Sequence, residues 1–250
     1  MLTYIIVCPM VFLAGIVDSI AGGGGLITLP AYMIAGLEPH TAIATNKMSS
    51  SMGAAVTLYR YGRMGYVPWK MAPLCIALSI GGSVIGSNLA LAVDATILKY
   101  IMLVLLPLTA IFVLRGKLSD EQREAYDWKK TFIIASVIAF FIGMYDGFYG
   151  PGSGTFSLFL LSVIGHMSLK TANGLTKAIN FASNISALTI FLINGKTIVA
   201  LGLVAGLFSM AGSYIGTKVF ATKGIKAVSS VFIIVLVIFF IKIIYEFIFQ

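Results

Sequence analysis

Long apolar runs separated by short polar loops fill this chain almost from end to end. Ten such segments can be drawn, at residues 2–21, 26–36, 41–61, 71–92, 98–114, 131–149, 155–164, 171–193, 198–219 and 228–249. Eight are long enough, as helices, to cross a hydrocarbon core of about 30 Å. The second and seventh hold only about ten residues and are too short to span by themselves. Both follow a glycine-rich break. Each break and its short segment predict half a helix that begins inside the membrane.

Composition agrees with this pattern. Hydrophobic residues make up 59% of the 250 and charged residues 10%, and the mean hydropathy is +0.99. The class is therefore an all-α polytopic membrane protein, with no room for a sizeable soluble domain. The first segment has no Lys or Arg before its apolar run, so it is read as a retained span rather than a signal peptide. Cys8 and Cys75 sit in apolar segments without disulfide or metal spacing. No metal or cofactor is expected.

The chain repeats itself. Gly15, Asp18, Gly22 and Gly24 recur 128 residues later as Gly143, Asp146, Gly150 and Gly152. At an offset of 130, Thr41, Ala42 and Lys47 match Thr171, Ala172 and Lys177, and Gly82-Ser83-Val84-Ile85-Gly86 matches Gly212-Ser213-Tyr214-Ile215-Gly216. Each half has five segments: 1–114 form one repeat, 131–250 the other, and 115–130 a hydrophilic linker. Because five is odd, the second repeat would enter the membrane inverted relative to the first, and each would carry a glycine-broken helix hairpin.

Charge gives the sidedness. Numbering the loops alternately puts 12 Lys and Arg on one side and three on the other, with Lys47 and Lys177 inside. If only the short segments were re-entrant, the asymmetry would fall to about 10 against 5. The basic side, which includes the linker, is expected to be cytoplasmic, with both termini outside. Positive loops of this kind also account for the net charge of +8 without invoking nucleic acid. Trp69 and Trp128 fall near the expected cytoplasmic interface.

The breaks are the candidate site. Gly22, Gly23, Gly24 and Gly25 in the first repeat, and Gly150, Gly152, Ser153 and Gly154 in the second, let the chain turn and let a ligand approach the backbone. The helices that follow would aim free amides and positive dipole ends at a common point near the midplane, as an anion site requires. Lys47 and Lys177, with Asn46, Asn173 and Asn180, are candidate ligands. Asn173, Lys177, Asn180 and Asn184 share one helical face, as do Asn46, Ser49, Ser50, Gly53 and Thr57. Each has a purely structural alternative: small-residue packing for the glycines, interhelical hydrogen bonds for the polar faces, snorkelling or ion pairing for the lysines. Asp18 and Asp146 could couple protons, act as counterions to the lysines, or hold a cation at a helix end. Glu38, His40 and His166 read as interfacial or capping residues.

The motifs Gly15-Ile16-Val17-Asp18-Ser19-Ile20-Ala21-Gly22-Gly23-Gly24-Gly25-Leu26-Ile27-Thr28-Leu29-Pro30 and Ala44-Thr45-Asn46-Lys47 resemble the TauE/SafE sulfite exporter family. So do their second-half partners, Gly143 to Thr155 and Asn173-Gly174-Leu175-Thr176-Lys177. The resemblance covers almost the full chain. It implies a permease in a prokaryotic plasma membrane for a sulfur-containing anion such as sulfite or an organosulfonate, with the lipid bilayer and a small anion as its partners and a homodimer as a further expectation. With no nucleotide-binding motif, gradients would drive a secondary transporter whose halves rock about a central site. A passive anion channel is the alternative. An intramembrane aspartyl protease using Asp18 and Asp146 is a remote one, because Asp18 lacks the expected preceding glycine and both aspartates occupy equivalent repeat positions.

Overall fold

A computed structural model describes residues 2–115, 124 and 126–223. Among these residues the chain forms nine helices and no strand: α1 Leu2–Ala21, α2 Gly25–Ile34, α3 Pro39–Arg63, α4 Ala72–Ala92, α5 Ala95–Arg115, α6 Trp128–Phe148, α7 Ser153–Val163, α8 Leu169–Ile193 and α9 Val199–Lys223. The expected segment 228–249 and half of the linker lie outside the described residues. The two short segments are the short helices α2 and α7, of 10 and 11 residues, so each covers only about 15 Å at 1.5 Å per residue.

Helix ends follow local chemistry. Pro39 occupies the first turn of α3, where its missing amide costs nothing. Ser168 caps α8 by accepting the Thr171 amide at 3.3 Å. Gly36, Gly65 and Gly195 take φ values of 90°, 74° and 65°, and the residues after them, Leu37, Tyr66 and Lys196, donate to carbonyls five residues back. This is the left-handed glycine stop of a helix. His40, expected to cap, does so for α4: its Nε2 lies 3.0 Å from Ala90 O and 3.1 Å from Val93 O.

The two repeats interlock rather than lie side by side. α1 packs along α9 and α4 along α6, so the most extensive interfaces join one repeat to the other. The same duplicated small residues make both. A side chain at Gly82 or Gly86 would strike the α6 backbone at Phe140 and Met144. One at Gly212 or Gly216 would strike the α1 backbone at Phe12 and Ile16. Close backbone approach through small residues is the usual basis of helix association in lipid. α3 and α8 run through the middle, against each other and against α9 and α4 respectively.

α1, α4, α6, α8 and α9 are long and apolar enough to cross a membrane. Their outward faces carry exposed apolar stripes, as at Ile133, Val137 and Phe141 on α6 and Leu203 and Leu207 on α9. Such surfaces suit lipid contact and would be a liability in water. α3 and α8 also bury polar side chains, among them Asn46, Lys47, Ser49, Ser51 and Thr57 on α3 and Asn173, Lys177 and Asn180 on α8, and such groups inside a membrane bundle are costly unless paired or facing a cavity. The molecule is a multi-pass membrane protein with a polar interior.

Candidate functional site

The glycine breaks meet. The Thr155 amide donates to Gly22 O at 3.1 Å, and the Thr155 hydroxyl donates to Ala21 O at 2.8 Å. Gly22 has φ 80° and Gly150 has φ 101°, a region that side-chain-bearing residues avoid. A Cβ on Gly22 would overlap the backbone of Gly154, and one on Gly25 would come within 2.8 Å of Pro151 Cα. Residues 22–25 and 150–154 are thus the contact point of the two repeats.

The last carbonyls of α1 would be orphans at a helix end, yet each has a partner. Asp18 O accepts the Gly22 amide at 2.9 Å and the Lys177 ammonium. Ser19 O accepts the Tyr61 hydroxyl at 2.7 Å, and Ile20 O accepts Asn173 Nδ2 at 2.9 Å. With the Thr155 hydroxyl on Ala21 O, four side-chain donors from α3, α7 and α8 satisfy the broken end, and the Gly22 amide adds one local bond. Several amides at the starts of α2 and α7 are likewise engaged by local turns: Ile27 and Thr28 donate to Gly24 O, and Ser153 donates to Gly150 O. The anion site expected from free helix amides is therefore partly closed in this conformation.

Both buried lysines form ion pairs, and each pairs with the aspartate of the other repeat. Lys47 Nζ of α3 lies 3.0 Å from Asp146 Oδ2 of α6. Lys177 Nζ of α8 lies 3.6 Å from Asp18 Oδ2 of α1. The lysine side chains are 1% and 0% exposed, so neither snorkels to an interface. Two like carboxylates sharing one proton would be the requirement for aspartyl chemistry. Here each carboxylate is held instead by a cation.

A small cavity sits at the junction. Asp18, Gly22, Gly25, Asn46 and Lys47 line it from the first repeat, and Asp146, Gly150, Gly152, Ser153 and Asn180 from the second. Ser50, Ala54 and Asn184 complete it. Five of the expected site residues do not line it: Gly23, Gly24, Gly154, Asn173 and Lys177. Asn173 is turned to the end of α1, Lys177 to Asp18, and Gly24 to a second cavity that also touches Asp18. The cavity measures about 30 Å³, room for one or two waters at roughly 10–15 Å³ each.

Two residues that matter here escaped the sequence reading. Ser183 Oγ lies 2.5 Å from Asp146 Oδ2, and Thr109 of α5 approaches Tyr145 Oη at 3.3 Å, beside the second break. Ser183 carried no signal because the repeat puts Gly53 at its equivalent position.

The family model for the sulfite exporter TauE/SafE matches residues 7–243. The chain is 34% identical over 235 residues to the "Probable membrane transporter protein YfcA" of Escherichia coli K12, covering 94% of this chain and 87% of that one. It is 33% identical over 225 residues to the "Probable membrane transporter protein ORF9" of a Sinorhizobium species, covering 90% and 85%. A "Probable membrane transporter protein" of Haemophilus influenzae is 31% identical over 237 residues, covering 94% and 92%. No solved structure matches the chain. With crossed glycine breaks, a polar cavity between them and a match over nearly its whole length, the chain belongs to the TauE/SafE family of membrane transporters.

Proposed function

We propose that this protein is a secondary transporter for a small anion, a sulfur oxyanion or sulfonate, which it binds in the cavity between the two glycine breaks and passes by alternating access. The observation that carries this reading is the pair of buried lysines beside that cavity, each tied to the other repeat's aspartate. Burying two ammonium groups is costly unless they are compensated. An anion that takes over part of a carboxylate's role can enter without creating unpaired charge. Asn46 and Asn180, which line the cavity, supply neutral donors for its remaining oxygens, and Ser153 lines it while holding Asp146.

The ion pairs also explain how binding could move the protein. By their contacts, α1, α2, α3 and α9 group together and so do α4, α6, α7 and α8, with the two groups joined through the α3–α8 interface. Both ion pairs, and the Gly22–Thr155 contact, cross between these groups. The mobile bodies are then these mixed bundles, not the two sequence halves, and the pairs act as their latches. A sulfite or sulfonate bound here competes with the carboxylates for the ammonium groups, so binding loosens at least one latch. The inverted placement of the repeats in the membrane, inferred from the loop charges, would let the same junction open to either side.

The test is flux of labelled sulfite, sulfoacetate and thiosulfate in proteoliposomes of the full chain. Transport of at least one is expected, and its loss by at least about a hundredfold in the Lys47→Ala, Lys177→Ala double variant would correspond to roughly 2.7 kcal/mol. Unchanged flux of every transported anion in that variant overturns the site. Conductive fluxes far above carrier turnover would assign the passive channel instead.

A further inference from the structure

The two aspartates are sequence equivalents, but their surroundings are not. Asp146 is 3% exposed at its side chain and fastened at both oxygens. Ser153 Oγ donates to Oδ1 at 2.7 Å, while Oδ2 takes Lys47 at 3.0 Å and Ser183 Oγ at 2.5 Å. Ser183 has Asn180 O at 3.1 Å as another acceptor, but a carboxylate at the shorter distance is the stronger one. Three donors on one carboxylate fix it in place.

Asp18 has none of these hydroxyls. The repeat offset of 128 places Gly25 where the second repeat has Ser153, and the offset of 130 places Gly53 where it has Ser183. The Asp18 side chain is 31% exposed and its ammonium partner stands off at 3.6 Å. Among the described residues its other oxygen receives only the Gly24 amide, at 3.3 Å. Lys177 is anchored to the Asp18 backbone carbonyl as well, so it keeps a partner if the carboxylate changes charge. Asp18 also lines both cavities, the central one and the one bordered by Thr28, Ser50, Ser209 and Ser213.

We infer that Asp18 is the site at which a proton binds and couples to anion movement, while Asp146 is a permanent counterion of Lys47. This deepens the anion-transport reading and rests on it. With two lysines and two aspartates the site is neutral when empty, and an entering anion makes it net negative. Buried net charge is costly, and a proton taken by Asp18 from the open side restores neutrality for a monoanion such as hydrogen sulfite and offsets one of the two charges of a dianion. The same event frees Lys177 from its carboxylate to face the anion. On release, anion and proton leave together and the Lys177–Asp18 pair closes again. The other charged or titratable groups facing Asp18 are Lys177 on α8, Lys47 and Tyr61 on α3, and Asp146 across the cavity on α6. Near Asp18, α9 offers only Ser209 and Ser213, and α2 only Gly25 and Thr28.

Carbodiimide labelling tests this without any transport substrate. Dicyclohexylcarbodiimide takes the proton of a protonated carboxyl onto its nitrogen and adds the carboxylate to its central carbon, leaving an acylurea that mass spectrometry locates. In the full chain reconstituted in liposomes, Asp18 should be labelled, with labelling falling about tenfold per pH unit once the group ionises, and Asp146 should stay unlabelled. In the Ser153→Ala, Ser183→Ala double variant, Asp146 should become reactive. Labelling of Asp146 at least equal to that of Asp18, or of neither residue, overturns the assignment. So does protection of Asp18 by sodium relative to choline at fixed pH, which would give the carboxylate to a metal cation. Labelling as expected without flux of any anion would sink the transport reading but keep a protonatable Asp18. Flux without labelling would do the reverse.

Discussion

Lys47–Asp146 and Lys177–Asp18 occupy matching places in a duplicated architecture, yet one is sealed and the other is open. The sealed pair is buried on both sides, at 1% and 3% exposure, and bolstered by two serines. The open pair joins a fully buried lysine to a carboxylate that reaches a cavity on either side. Duplication supplies two copies of a charge pair. Where the second repeat has two hydroxyls the first has glycines, and on the proposed coupling role this leaves one copy free to change its state. What holds the structure and what responds to solvent are thus divided between repeats by two side chains that never carry charge themselves.

Two substitutions probe this contrast, the larger effect first. Asp146→Ala leaves Lys47 buried without a counterion and should cost about 3–5 kcal/mol. Asp18→Ala should cost only about 1 kcal/mol, as for a partly exposed pair, because Lys177 keeps its carbonyl. Denaturant or thermal unfolding in detergent measures both, and equal losses would erase the distinction.

The breaks should differ as well. Gly22→Ala must bear a left-handed backbone, about 1–2 kcal/mol, and an overlap with the Gly154 backbone, about 1–3 kcal/mol more. At Gly150 the added Cβ meets the movable end of Lys47 at 3.1 Å, so Gly150→Ala should bear mainly the backbone term. Comparing the two unfolding midpoints with wild type sharpens which break is the tighter crossing. The loss of one clamp is read the same way. Ser183→Ala should cost about 1.5–3 kcal/mol, as for a hydrogen bond to a charged group. Ser50→Ala, which removes a 3.2 Å contact to Asn46 Oδ1, should cost about 1 kcal/mol or less.

Much of the architecture was legible beforehand because its signals are local. Apolar runs marked α1 to α9 to within a few residues, and length alone singled out α2 and α7 as half-helices. The glycine pairs that let α1 meet α9 and α4 meet α6 were visible as the repeated Gly-x-x-x-Gly stretch, though not which helices they would join. The site was legible as a set and misleading in detail. Asn173 shares a helical face with Lys177, Asn180 and Asn184, but only the two C-terminal members of that stripe line the cavity. Asn173 lies level with the end of α1 and is consumed by its orphan carbonyl. Helical periodicity says which residues share a face and cannot say what stands opposite each turn.

By itself the sequence determined a bilayer-spanning helical chain, a duplication, two interrupted helices and four intramembrane charges, because hydrophobic length, repeat spacing and glycine breaks are written along one dimension. Tertiary structure decided which lysine meets which aspartate, which helix amides remain free, and that Ser153 and Ser183 close around Asp146 while nothing comparable closes around Asp18. Those outcomes depend on groups as far as 159 residues apart in the chain meeting at distances of a few ångströms, where hydrogen bonding and charge are settled.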